Sequence, residues 1–142
     1  MSPVVATPAA ERYPRFSRDG RWLAYSSDES GREEVYVQPF PGPGPRIAVS
    51  TGGGTRPIWS ADGRELFYRA GNRVMAADVK THPTFTASRP RVLFEGPYVG
   101  ASGDLSFDVS PDGKRFLMIR TDPSSSLTRF NLVLNWTPES GR

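Results

Sequence analysis

Three aspartates at repeated positions and a single histidine are the residues whose types could do chemistry. Asp19, Asp62 and Asp112 each lie in a segment that reads Ser-x-Asp-Gly followed by Arg or Lys. Carboxylates bind calcium, but a calcium loop needs several oxygen ligands within one short loop, and each segment here offers one carboxylate. A turn in which the Asp side chain bonds its own backbone explains the pattern more simply. We therefore expect no metal site at these aspartates.

The histidine does not complete a nucleophilic site. A Ser-His-Asp hydrolase would need His82 as its base, yet His82 lies in a polar loop before Pro83 and the chain has no Gly-x-Ser-x-Gly elbow. One histidine and no cysteine exclude a transition-metal site of several imidazole or thiolate ligands. Gly52-Gly53-Gly54 lacks the Lys-Ser/Thr and the helix start of a phosphate loop. The sequence therefore predicts no catalytic, metal-binding or cofactor-binding residue.

The composition of the chain limits the kinds of partner that we expect it to bind. The 142 residues carry a net charge of +3, and the basic residues are scattered, which is typical of solvated turns and strand edges and not of a nucleic-acid surface. No apolar run approaches the roughly 18 residues of a membrane helix. Residues 1–12 lack the basic start and apolar segment of a signal peptide. We expect a soluble chain, cytoplasmic as given, with neither nucleic acid nor membrane as a partner.

The Ser-x-Asp-Gly segments mark a repeat of β-hairpins. They begin at residues 17, 60 and 110, and each lies between two short apolar runs. Asp-Gly in that setting is a hairpin signal, because Gly accepts the positive φ of a tight turn. Repeats of about 40–50 residues that contain several strands are typical of propeller blades. The sequence predicts an all-β fold of three four-stranded β-propeller blades, over residues 13–51, 55–94 and 105–136.

The apolar pattern predicts the individual strands. They cover residues 14–17, 22–27, 34–40 and 46–50 in the first blade, 55–60, 65–69, 73–79 and 91–94 in the second, and 105–110, 115–121 and 129–136 in the third. The strand over residues 22–27 is apolar almost throughout, which indicates a sheet covered on both faces. The third blade lacks a fourth strand, and the run from Pro3 to Thr7 has the register of a fourth strand without its first three.

The repeat resembles that of TolB-type six-bladed propellers. The residues that carry the resemblance are Pro14-Arg15-Phe16-Ser17-Arg18-Asp19-Gly20-Arg21-Trp22-Leu23-Ala24-Tyr25-Ser26-Ser27-Asp28, followed by Glu34-Val35-Tyr36-Val37. More narrowly, residues 63–68, 107–113 and 133–136 are similar to the end of the C-terminal propeller of bacterial membrane-linked serine/threonine protein kinases. The resemblance spans residues 4–136 and implies the fold. It implies no activity, because such propellers share no catalytic residues and no kinase motif occurs in this chain.

Two functions of different class fit this fold. The first is a non-enzymatic interaction or scaffold module that binds a protein or peptide at the rim or the central channel. The alternative is the accessory or sensor propeller of an enzyme, such as a bacterial serine/threonine kinase or a prolyl-oligopeptidase-like hydrolase. The candidate channel-facing binding residues lie on the first strands of the blades: Arg15, Arg56 and Asp108. The alternative interpretation of each is a solvated charge at a strand end.

The blade count predicts self-association. Three blades are fewer than the roughly four to eight of known propellers. Two copies would supply six blades, and we expect a homodimer in which the residue 3–7 strand of one chain, Pro3 to Thr7, pairs with residues 129–136 of its partner. A trimer of nine blades exceeds the usual range.

Overall fold

Three antiparallel β-sheets follow one another along the chain in the computed structural model, which describes residue 5 and residues 7–98, 107–121 and 128–133. The first sheet contains β1 (Glu11–Phe16), β2 (Trp22–Ser27), β3 (Glu34–Pro39) and β4 (Ile47–Ala48). The second contains β5 (Thr55–Trp59), β6 (Glu65–Ala70), β7 (Arg73–Lys80), β8 (Thr86–Ala87) and β9 (Arg91–Glu95). The third contains β10 (Asp108–Val109), β11 (Phe116–Thr121) and β12 (Thr128–Val133). Within these residues the chain forms no helix that could cross a membrane.

The three sheets correspond to the three predicted blades, with one difference in the second. We expected a single fourth strand over residues 91–94 and a loop before it. Instead β9 pairs with the first half of β7, and β8, which lies in the expected loop, pairs with the second half. The reason is the length of β7, whose eight residues leave donors and acceptors beyond the reach of β9. The second sheet therefore has five strands.

The ends of several strands differ from the prediction. β1 begins at Glu11, three residues earlier than expected, because the strand continues through a bulge ahead of Pro14. β4 is limited to Ile47–Ala48, whereas we expected residues 46–50. Of the predicted strand over residues 3–7, only Val5 and Thr7 are described, and neither belongs to a strand. Residues 105–106, 122–127 and 134–136 of the third predicted blade lie outside the described residues, and β10 covers only Asp108–Val109 of the described part of the predicted 105–110 strand.

The Asp-Gly turns have the same conformation in all three sheets. Gly20, Gly63 and Gly113 have φ values of 69°, 72° and 70°, in the left-handed region that favours glycine. The amide of each Gly donates to the carbonyl of the Ser three residues earlier, at 2.8 to 2.9 Å. The hairpin prediction is confirmed at these turns, and also at the β2–β3 hairpin, where Gly31 has a φ of 93°.

The second sheet is packed on both of its faces. Leu66 and Tyr68 lie in a buried cluster shared with the first sheet. Phe67, between them on β6, lies in a second cluster with Phe116 and Met118 of the third sheet. Alternate residues of a strand point to opposite faces, so one strand supplies both junctions. This arrangement explains the nearly continuous apolar character of the second strands.

A phenylalanine ring joins the first and second sheets. Phe85, buried in the loop before β8, has its ring centroid 5.4 Å from that of Trp22 and 6.2 Å from that of Trp59. The Trp22 indole N–H donates to the Thr81 carbonyl at 3.1 Å. The Trp59 indole N–H donates to a β1 carbonyl at 3.0 Å. Both indoles are thus hydrogen-bonded across the junction that their rings help to fill.

Candidate functional site

The antiparallel strands place the chain's turns on two opposite faces. The turn face carries the Asp-Gly turns between β1 and β2, β5 and β6, and β10 and β11. The hairpin face carries the β2–β3 and β6–β7 turns, together with the starts of β1 and β5. The three repeated aspartates and His82 lie on the turn face. The buried arginines described below lie toward the hairpin face.

On the turn face, each aspartate is held by its own turn. The Ser17 hydroxyl donates to Asp19 Oδ1 at 2.6 Å, and Ser60 donates to Asp62 in the same way at 2.6 Å. Each carboxylate also accepts the backbone N–H two residues later. The hydroxyl bond lowers the pKa of both aspartates, and the equivalent bond from Ser110 lowers the pKa of Asp112. The carboxylates therefore serve the turns, as the turn interpretation requires.

His82 lies beside the first of these turns without forming a catalytic triad. Its Nε2 is 3.1 Å from Asp19 Oδ2, and its Nδ1 is 3.3 Å from Arg21 Nη1. Ser17 bonds the aspartate and not the imidazole, so the base does not contact the hydroxyl that it would have to activate. Within the described ranges, no group of three or more Asp, Glu or His side chains is placed to hold a metal ion.

Toward the hairpin face, two bulky residues adopt left-handed backbone conformations. Tyr13 in β1 and Arg56 in β5 have φ values of 56° and 57°, and each lies at a register shift between the first two strands of its sheet. The two residues are 43 positions apart, the same spacing as the first two turns. A non-glycine residue held there costs about 1–3 kcal/mol, and such strain is concentrated at functional sites.

Tyr13, Arg56, Arg69 and Tyr98 form what we call the Arg–Tyr cluster. Arg56 Nη2 donates to the Tyr13 hydroxyl at 3.1 Å, and its guanidinium lies 4.6 Å from the centre of the Tyr13 ring. Arg69 donates to the Gly71 carbonyl at 2.7 Å, and its guanidinium lies 5.9 Å from the Tyr98 ring. Each arginine is only 4% exposed. Two guanidinium groups are therefore buried beside tyrosine rings, one from β1 and one from the segment after β9.

Burial and the nearby charge of Arg56 both affect the pKa of Arg69. Burial in the low-dielectric interior is the larger cause, and the charge of Arg56 is the second, of a pKa lowered from its usual value. The backbone of Arg56 is fixed by a bond from its N–H to the buried Ser26 hydroxyl at 3.1 Å. This bond fixes the backbone of Arg56 within the cluster.

A cleft of about 450 Å³ opens beside this cluster, between the β2–β3 and β6–β7 hairpins. Arg69 lines it together with Arg32, Arg73 and the Gly52–54 connector. The connector is anchored by buried Glu34, whose carboxylate accepts the Gly53 N–H at 3.0 Å and the Arg32 Nε–H at 2.8 Å, and also bonds Ser50. The anchored connector therefore keeps one wall of the cleft free of side chains.

The three predicted binding residues lie in different surroundings. Arg56 belongs to the Arg–Tyr cluster and is buried. Arg15 is exposed and donates to the carbonyl of Pro14 at 3.1 Å. Asp108 is exposed and accepts the N–H of Val109 at 2.8 Å. The sequence prediction missed Tyr13, Arg69 and Tyr98; of these, Tyr13 could have been found from its spacing of 43 residues to Arg56.

Comparison with known proteins identifies the fold. No family model matches the chain, and no curated protein matches it. Among solved structures, the chain is similar to an oligogalacturonate lyase from Vibrio parahaemolyticus, with a TM-score of 0.61 and 17% identity over 97% of this chain and 34% of the other. It is also similar to a putative TolB from Agrobacterium tumefaciens, with a TM-score of 0.60 and 17% identity over 90% of this chain and 46% of the other. A protein from Lactobacillus plantarum matches with a TM-score of 0.51 and 15% identity over 91% of this chain and 42% of the other.

These likenesses confirm the predicted TolB-like β-propeller fold, so the three sheets are blades. The chain spans between 34% and 46% of the length of these three proteins. The narrower resemblance to kinase propellers stays a prediction.

Proposed function

We propose that this chain is a non-enzymatic propeller interaction module, in which two copies associate into a six-bladed ring that presents its clefts to a protein or peptide. The observation that carries the proposal is the exposure of Phe16 and Leu117, at the two open ends of the three-blade arc. Their side chains are 54% and 41% exposed. Apolar groups of this size at a sheet face are typical of an interaction surface.

Residues at the equivalent positions of the other blades pack between neighbouring blades. Phe16 precedes the first Ser-x-Asp-Gly segment; Trp59 and Val109 precede the second and third, and both pack at the junctions between blades. Leu117 has the same position in β11 as Phe67 has in β6, and Phe67 is buried against the third blade. Equivalent positions of stacked repeats make equivalent contacts. A further blade at each end would therefore cover Phe16 and Leu117.

A second copy supplies a blade for each end. In a closed two-fold ring, Leu117 of one chain would face the side of the other chain's first blade that carries Leu23 and Tyr25. Within one chain, Phe67 faces the third blade in the same way. Val5 packs against that side of the first blade in the single chain. On association Val5 would leave this position, and the run from Pro3 to Thr7 would pair with the outer strand of the partner's third blade, β12.

The oligomeric mass tests this proposal. Light scattering at micromolar concentration should give twice the 15.6 kDa chain mass. Leu117→Glu should shift the mass toward one chain, because it places a charge in the proposed interface. Removing residues 1–8, or Val5→Pro, should loosen the dimer or cause aggregation by deleting a strand or one of its donors.

Val92→Glu is the matched control, since Val92 is 48% exposed but lies on an outer strand of the middle blade. A well-behaved wild-type monomer would refute the ring. A mass equally sensitive to Val92→Glu and Leu117→Glu would refute the assigned interface.

The alternative is an accessory or sensor propeller of an enzyme. Two observations favour it: the chain spans less than half of the propellers it matches, and one of those is named a lyase. An adjacent kinase or hydrolase reading frame, or activity of the purified chain toward a nucleotide or ester, would support this alternative.

A further inference from the structure

We propose that Arg115 of one copy lies against the rings of Phe16 and Phe40 of a second copy, and that this cation–π contact matches the end of one chain to the start of the other. The inference rests on the proposed ring and names a specific contact at each of its two junctions. Its basis is the junction between the first and second blades, which lies within one chain and which the ring would repeat between chains.

The open side of the first blade is equivalent to the side that the second blade turns toward the first. Phe40 and Val79 have the same position, because the N–H of each donates, at 2.8 Å, to the carbonyl of the residue after the glycine of its own Asp-Gly turn. Val79 and Trp59 belong to the cluster between the first two blades. Phe40 contacts Phe16, the equivalent of Trp59, with ring centroids 4.8 Å apart. The open side therefore has the wall of a junction without its opposing residue.

In the junction within the chain, the opposing residue is Trp22 of the first blade. It packs against the cluster of the second blade, and its ring centroid lies 5.4 Å from that of Phe85. The first blade has no aromatic residue in its loop over residues 41–46, so Phe16 and Phe40 supply the rings at the equivalent place. A residue with the position of Trp22 on a preceding blade would meet these two rings.

Arg115 has the position of Trp22 on the third blade. The Trp22 N–H donates to the Ser17 hydroxyl and the Arg115 N–H donates to the Ser110 hydroxyl, both at 3.0 Å. From Arg115 to Leu117 the chain alternates between exposed, buried and exposed residues. Alternate residues of an extended chain share a face, so Arg115 lies on the same open side as Leu117. When two copies close a ring, this side meets the first blade of the other copy.

The contacts that Arg115 already makes are compatible with this role. Its Nη2 lies 3.7 Å from Asp112 Oδ2, and both side chains are exposed. A guanidinium stacks on an aromatic ring through its flat face and keeps the N–H groups at its edge for a carboxylate. Arg115 can therefore pair with Asp112 and contact the rings at the same time, and the ring contact needs no free donor.

The ring pair offers a surface that suits a guanidinium. Phe16 is the most exposed of the large apolar side chains in the described part of the chain. On the same side of the first blade, the Arg46 guanidinium lies 5.0 Å from the centre of the Tyr36 ring. A cation over an aromatic ring is held more strongly once water is removed, as it would be at a closed junction.

The contact would also determine which ends can associate. Apolar side chains such as Phe16 and Leu117 do not distinguish a start-to-end junction from a junction of two like ends. Two third blades brought together would place like charges opposite each other at Arg115, which is unfavourable. Only the start-to-end arrangement places each guanidinium on a ring pair, and that arrangement closes the ring.

The test is a double-mutant cycle on the dissociation constant of the dimer, measured by light scattering over a dilution series of the full chain. Arg115→Met keeps the length of the side chain and removes the cation. It should raise the dissociation constant about 25-fold, as the product of about fivefold at each of the two junctions. Phe40→Leu removes a ring, keeps an apolar side chain and should have a similar effect. The double variant should be no weaker than the weaker single variant.

Two further variants sharpen the result. Arg115→Lys should fall between wild type and Arg115→Met, because an ammonium is attracted to a ring but does not stack on it. Arg64→Met is the matched control, since it removes the same charge from an exposed turn residue of the middle blade, and the dissociation constant should not change. If Phe40→Leu does not fold, Phe16→Leu, at an exposed position, takes its place in the cycle.

The outcomes separate this contact from the ring itself. A wild-type monomer would refute the ring and the contact together. A wild-type dimer that Arg115→Met leaves unchanged, or that Arg64→Met weakens equally, would overturn the contact and leave the ring standing. Effects of Arg115→Met and Phe40→Leu that multiply in the double variant would do the same, because they would show that the two side chains act independently.

Discussion

On the turn face, charged side chains are held by their own turns, whereas toward the hairpin face two arginines are buried beside each other between tyrosines. Asp62 accepts hydrogen bonds from its own Ser60 and from the backbone of Arg64, so its charge is stabilised within five residues. Arg56 and Arg69 come from different strands and contact the rings of Tyr13 in β1 and Tyr98 after β9. Charge near a repeated motif can therefore be purely structural. Charge placed by the tertiary fold is the better place to look for a ligand site.

The largest effect is expected for Gly54→Ala, at the connector of the hairpin face. An added Cβ would lie 2.5 Å from the Ser50 hydroxyl oxygen and 3.1 Å from a Tyr68 ring carbon. Overpacking of this kind costs about 3 kcal/mol, and here it also disturbs the bond between Ser50 and buried Glu34. Chemical denaturation would measure the loss. Gly52→Ala, which meets no neighbour, is the control, and equal effects of the two would contradict the packing argument.

Gly63→Val tests the turn face by strain alone. The φ of Gly63 is 72°, and an added Cβ would meet no atom within 4 Å, so the whole cost comes from the backbone. A β-branched residue at that φ should lower the free energy of unfolding by about 2 kcal/mol. An unchanged melting temperature would show that the turn tolerates another conformation.

Ser60→Ala should cost about 1 kcal/mol and should also change the response to acid. The Ser60 hydroxyl lowers the pKa of Asp62 below its ordinary 3.8, so the carboxylate contributes stability above that pH and loses it as the pH falls through the folded pKa. Without the hydroxyl the folded pKa moves back up. The difference in melting temperature between wild type and variant should therefore stay constant well above the ordinary pKa of 3.8 and narrow as the pH falls below that value through the folded pKa.

Ser88→Ala provides the comparison for that experiment, because the Ser88 hydroxyl accepts the Asp78 N–H at 3.0 Å and bonds a backbone group instead of a carboxylate. Its difference from wild type should not vary over the acid range. Parallel acid curves for Ser60→Ala and wild type would remove the carboxylate from the explanation.

The smallest effect is expected for His82→Ala. The imidazole and the Asp19 carboxylate are 58% and 33% exposed, and their contact, which is an ion pair when the imidazole is protonated, contributes about 0.5 kcal/mol or less. The loss should disappear in high salt. Ester hydrolysis or ATP turnover by the wild type that vanished in this variant would contradict both the structural role of His82 and the non-enzymatic proposal.

The turn face could be predicted from the sequence, whereas the Arg–Tyr cluster could not. The turn face follows from local chemistry, since Ser17, Asp19 and Gly20 lie within four residues and specify their turn together. The Arg–Tyr cluster depends on contacts between residues far apart, such as the 43 positions between Tyr13 and Arg56. Neither residue type favours a left-handed conformation, so composition gave no sign of the bulges. Arg69 was missed because it lies in a strand whose alternation predicts only burial.

The ring of Phe85 between two indoles gives the molecule an optical reporter. Trp22 and Trp59, two of the chain's three tryptophans, flank that ring, so their emission should change when the first and second blades part. With Trp136→Phe the signal would come from this junction alone. In repeat proteins stability is carried by nearest-neighbour contacts. Separation of the blades one at a time would then appear as a fluorescence change that precedes the loss of the β-sheet circular dichroism.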